Sequence, residues 1–156
     1  MDKYFLSTDF VNRGSERYWR RCPWHDVSFH YRCKHPGQFV GKAPKASFHL
    51  FKNRKMWTLN TSIEEFNWVC GAERADSAGS DVITSSLGYN TFDNPTFDHT
   101  HSQMNGNTTI SYNGGWHCSQ ERYYRLNAAG NEGTNGWHYI IAPADGDSVV
   151  AAWCRE

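Results

Sequence analysis

Residues 108–119 read TTISYNGGWHCS. Asn-Gly between two apolar runs is a strong short-range signal for a β-hairpin, because a tight turn there needs backbone with positive φ. The stretch therefore predicts one ribbon over residues 108–112, a turn at Asn113-Gly114-Gly115 and a returning ribbon over residues 116–119. Downstream, residues 122–126 read as a strand ended by Asn127-Ala128-Ala129-Gly130-Asn131. Residues 137–141 and 148–154 flank Pro143-Ala144-Asp145-Gly146-Asp147 and read as a second hairpin.

Upstream the same alternation recurs. In residues 26–33, Val27, Phe29, Tyr31 and Cys33 would face one way and Ser28, His30 and Arg32 the other. Residues 45–51 and 55–60 read as a hairpin with a charged tip. One helix is signalled. Ser62-Ile63-Glu64-Glu65 has the S-x-x-E form of a capping box, and Gly71 reads as its stop, about two turns on. Residues 72–107 are rich in Ser, Asp, Asn, Gly and Thr and read as a long irregular loop.

Composition points the same way. The chain has 156 residues, with 9 Phe, 7 Trp and 8 Tyr, against only 17 Leu, Ile and Val. A core built from rings rather than branched aliphatics suits a small β-fold with many loops. The fold expected is mainly β: an antiparallel sandwich or barrel of about eight strands, with one or two short helices and the long loop. A single domain spanning residues 1–156 is expected. It would comprise a basic N-terminal region (residues 1–55), a polar segment (residues 72–107) and a hairpin region (residues 108–154).

Charge is unevenly placed. Residues 1–55 hold twelve Lys/Arg against four Asp/Glu, a balance of +8, and residues 56–156 hold four against twelve, a balance of −8. Such asymmetry hints at a partner. One reading is polar self-assembly, a basic face of one copy meeting an acidic face of the next. Another is polyanion or nucleic-acid binding by Arg17, Arg20, Arg21, Arg32 and Lys34, interleaved with Tyr18, Trp19, Trp24 and Tyr31.

Two groups of metal-binding side chains stand out. Cys22, His25, His30 and His35 follow the ligand spacing of a zinc knuckle, with His in two places where a knuckle has Cys. His99 and His101 would share a face of a strand and could hold one metal with a third histidine. No cofactor is otherwise expected, zinc or another transition metal being the one these donors would take. The sequence holds no nucleophile elbow, phosphate loop, dinucleotide fingerprint or H-E-x-x-H. Glu64 and Glu65 read as carboxylates favoured at a helix start.

The function expected is therefore a non-enzymatic binding or assembly module, such as a filament, adhesin or virion-type structural subunit. Its partner would be itself or a surface glycan, met by Trp116, His117, Trp137 and His138. A His-centred metal-dependent hydrolase or nuclease is the enzyme alternative. Five cysteines cannot all pair within one chain. No run approaches 18 apolar residues, so membrane insertion is not expected. No apolar segment follows Met1, so no signal peptide is expected; an extracellular or virion-surface location is carried on the assembly reading alone.

Overall fold

The structure, a computed structural model, describes residues 3–7, 34–35, 39–40, 43, 46–51, 61–118 and 124–153, with backbone alone at 3–7, 34–35, 39–40 and 115–118. The strands are β1 (Lys3–Ser7), β2 (Lys34–His35), β3 (Phe39–Val40), β4 (Ser47–Phe51), β5 (Val82–Ser85), β6 (Tyr124–Ala128) and β7 (Val149–Ala152). The helices are α1 (Ser62–Ser77) and α2 (Ile110–Cys118), with short 3-10 turns at Pro95–Phe97, His101–Gln103 and Glu132–Thr134.

Five strands form one sheet in the order β4-β1-β5-β6-β7, and every pairing in it is parallel. Strands β2 and β3 pair antiparallel by themselves. The expected antiparallel sandwich or barrel is thus corrected to an α/β architecture. The reason is connectivity. Parallel neighbours need a crossover rather than a hairpin, and residues 61–118 supply it with two helices.

Helix α1 runs 16 residues, far past Gly71. Thr61 is the extended residue before its first turn, and Glu64 and Glu65 lie where a helix dipole favours carboxylates. Neither reciprocal bond of the expected capping box forms, since no side chain caps the helix start. The true stop is Gly79, whose φ of 71° is open to glycine at little cost. There the amide of Ser80 bonds to Ala75 O at 3.1 Å, and that of Gly79 to Asp76 O at 2.8 Å.

The predicted hairpin over 108–119 is helix α2 instead. A Cβ on Gly114 would fall 2.3 Å from Val69 Cγ1 on α1, so the glycine lets two helices approach closely. The second predicted hairpin also dissolves. Residues 137–141 form an irregular segment, and β7 pairs in parallel with β6. The expected strand over 26–33 and the segment 55–60 lie outside the described residues.

The inner face of the sheet carries Ile83, Ser85, Arg125 and Asn127, all buried. Helix α1 lays Trp68, Val69, Ala72 and Ala75 over it, and Tyr89, Phe92, Phe51 and Leu87 complete the cluster. Aromatic rings do fill the interior: Trp68 comes from a helix and Tyr89 and Phe92 from a loop, with Phe51 of β4 packed against them.

Candidate functional site

In open parallel sheets, ligands bind outside the carboxyl ends of the strands. Two described connections leave that end: residues 86–109 after β5 and residues 129–148 after β6. They are tied together. The Tyr89 amide donates to Ala142 O at 2.8 Å across them, and within the second the Ile141 amide donates to Ala129 O at 3.1 Å. The Ile141 side chain lies across Gly88 and Gly130, where added Cβ atoms would sit 2.0 and 2.7 Å from its Cδ1. The buried Ile141 side chain thus fills the space that side chains at these two points would take. Gly130 has φ of 104°, which turns the chain sharply as β6 ends. Asn131 follows with its side chain exposed and making no cap bond to the 3-10 turn after it. Beneath the rim, Ser85 Oγ donates to Asn127 Oδ1 at 2.7 Å between register partners at the strand ends. The Asn127 amide nitrogen is buried with no acceptor among the described residues.

A second polar centre ties the helices to the first loop. Glu65 is wholly buried. Its Oε1 accepts from the Ser111 amide and hydroxyl, each at 2.8 Å, so the carboxylate sits at the N-terminus of α2. Its Oε2 lies 3.1 Å from His99 Nε2. Burial raises the Glu65 pKa, but the bonds from His99 and Ser111 outweigh it and hold the carboxyl below its ordinary value. Nearby, burial pushes Asp145 up, against the Gly106 amide bonded to its Oδ2 at 3.1 Å.

Ser, His and a carboxylate in one cluster have the composition of a nucleophilic triad. The wiring differs. Nucleophile activation needs the imidazole between hydroxyl and carboxylate, to take the proton. Here the carboxylate stands between, and Ser111 and His99 each bond to Glu65. The arrangement pins structure and activates no hydroxyl.

The candidate residues from the sequence are dispersed. His99 precedes and His101 begins a 3-10 turn, so the two share no strand face; His99 goes to Glu65, while His101 packs edge-on to Trp137, centroids 4.3 Å apart, and stacks on Tyr139 at 5.1 Å. Among the described residues no group of three His, Cys, Asp or Glu is placed to hold a metal. Trp137 is half-buried, and His138 is exposed with its Nδ1 2.9 Å from Gly133 O. Trp116 and His117 lie in the last turn of α2, on backbone only. Lys34 and His35 form β2, likewise. Arg17, Arg20, Arg21, Arg32, Cys22, His25 and His30 lie outside the described residues. Of the cysteines, Cys70 is a free, exposed thiol. No described helix is long and apolar enough to cross a membrane.

The sequence reading missed Ser111 and Asn131 as site residues and took Glu65 for a dipole partner. A glutamate inside the S-x-x-E pattern looks the same whether it caps its own helix or turns inward to cap another.

No protein-family model matches the chain, and no curated protein matches it. Among solved structures, the chain resembles the prenylagaramide maturation protease PagA, with TM-score 0.64 and 19% identity over 96% of this chain and 52% of that one. It also resembles a mutant of the protease domain of PatA, with TM-score 0.58 and 16% identity over 96% of this chain and 56% of that one. At this identity the likeness is one of fold. The chain spans about half the length of either structure. These matches overturn the expected non-enzymatic module: a fold shared with protease domains gives no support to a β-sandwich adhesin, a filament or virion subunit, or a glycan-binding structural protein.

Proposed function

We propose that the chain forms the substrate-holding sheet of a peptide-cleaving domain, with an extended peptide lying in the crevice at the carboxyl ends of β5 and β6. The observation that carries this reading is the coincidence of place. The fold follows two protease domains along 96% of the chain. The connections that follow β5 and β6 leave the carboxyl ends of the strands, the end at which open parallel sheets bind ligands.

A peptide main chain is recognised by backbone, through hydrogen bonds that are indifferent to side chains. Peptide hydrolysis passes through a tetrahedral intermediate whose oxygen becomes negative, and preorganised donors lower that barrier. Asn131 is offered as such a donor: it is exposed, follows Gly130 at the end of β6 and makes no cap bond to the 3-10 turn after it. The chain spans about half of either relative, and the Glu65, His99 and Ser111 cluster is wired as a pin. The attacking group is therefore assigned to residues outside that cluster.

The test is hydrolysis of quenched-fluorescent decapeptide pools by the purified protein. Cleavage by the wild type is expected, and Asn131→Ala should lower kcat by roughly 10²- to 10³-fold with KM little changed. Absence of cleavage by the wild type, or an Asn131→Ala variant as fast as the parent, overturns the reading.

A further inference from the structure

The connections after β5 and β6 meet again further from the sheet, at a cluster of rings. His101 comes from the first connection, Trp137 and Tyr139 from the second. The His101 ring is edge-on to Trp137, at 70° and 4.3 Å, and nearly parallel to Tyr139, at 19° and 5.1 Å. Both partners reach one imidazole because the chain bends at His138, a non-glycine residue with φ of 54°. That conformation is sparsely populated and persists where the surroundings over-determine it, as they do at ligand sites. Here His138 is held by its amide on Glu132 O at 3.1 Å and its Nδ1 near Gly133 O at 2.9 Å.

Rings that serve only to fill a core are not left half in water. Tyr139 is 54% exposed, and Ile140 beside it 38%. Ile141, the next residue, is the side chain that lies across Gly88 and Gly130. The ring cluster and the crevice are thus built from one five-residue segment.

We infer that His101, Trp137 and Tyr139 form a subsite for an aromatic side chain of the bound peptide. This rests on the peptide-cleaving reading and adds the substrate class to it. A stack already fixed on one side, with the other side of Tyr139 open to water, offers a planar apolar surface at little ordering cost. Another ring meets it in offset or edge-on geometry, the arrangements aromatic pairs prefer.

Two quenched-fluorescent decapeptide pools test this, identical except for Phe or Ser scanned through each position. The wild type is expected to prefer Phe at one position by roughly tenfold in kcat/KM. Tyr139→Ala should bring that ratio towards one, and Tyr139→Phe, which keeps the ring, should restore it. Phe66→Ala, which removes an exposed ring from α1, should leave both rates unchanged. Hydrolysis without a Phe preference overturns the subsite alone, as does a preference that survives Tyr139→Ala. No hydrolysis of either pool overturns the peptide-cleaving reading itself.

Discussion

Glu65 shows how one residue can join three segments of a chain. Its carboxylate meets the start of α2 through Ser111 and the first connection through His99, while its backbone belongs to α1. Removing it strands a buried amide, a hydroxyl and an imidazole together. Glu65→Ala is therefore expected to cost about 2–4 kcal/mol, the range for unsatisfied buried partners. Glu65→Gln keeps an acceptor for Ser111 and should cost about half as much. Acidity gives a second readout. The carboxyl is held below its ordinary value of 4.5 in the fold, so its stabilisation is complete above that pH and is lost as pH falls through the lower folded value. In urea titrations, the gap between wild type and Glu65→Gln should be full at pH 7 and shrink below pH 4.5. A gap that is constant with pH would show that the charge is not what holds the three segments together. None of this was legible in Ser62-Ile63-Glu64-Glu65, because the sequence signals a helix start there without saying which helix the carboxylate serves.

At the scale of elements, misread glycines account for much of the difference between expectation and structure. Asn113-Gly114-Gly115 signals a turn because these residues tolerate positive φ, yet Gly114 serves a helix contact against Val69. Gly71 signals a helix stop, yet it is buried mid-helix, and Gly79 makes the stop with its left-handed backbone. Local sequence cannot separate a glycine kept for its torsions from one kept for lack of a Cβ. Substitution can. Gly114→Ala would drive a methyl into Val69 Cγ1 at 2.3 Å and should destabilise by about 1–3 kcal/mol through overpacking. Gly133→Ala meets nothing within 4 Å and has no left-handed φ, so it should be neutral or stabilise by up to about 1 kcal/mol. Thermal unfolding of the two variants side by side checks the assignment. Equal effects would mean that α1 and α2 do not pack as closely as described. Where alternation carried the signal, the sequence served better: the strands read at 45–51, 122–126 and 148–154 overlap β4, β6 and β7.

At the scale of the whole molecule, strand identity was partly legible and strand partnership was not. The order β4-β1-β5-β6-β7 joins segments far apart in sequence, and turn signals report only on neighbours. Register then sorts the side chains. Ile83, Arg125 and Val149 share the inner face with Ser85, Asn127 and Ala151, while Thr84, Leu126 and Val150 share the outer face with Val82 and Tyr124. Both described helices that pack together, α1 and α2, belong to the inner side, since α1 supplies the core over Ile83. On the outer side Tyr124 remains 75% exposed and Val150 55%. Parallel sheets ordinarily have both faces covered, so these two exposed side chains should bind hydrophobic dyes. The purified protein is expected to enhance the fluorescence of anilinonaphthalene sulfonate in its folded state at pH 7. Tyr124→Lys combined with Val150→Lys should lower that signal by half or more. It should leave stability within about 0.5 kcal/mol of the parent, as for substitutions at sites already in water. A loss above about 2 kcal/mol would instead mark these positions as buried in the folded chain and would reverse the assignment of the open face.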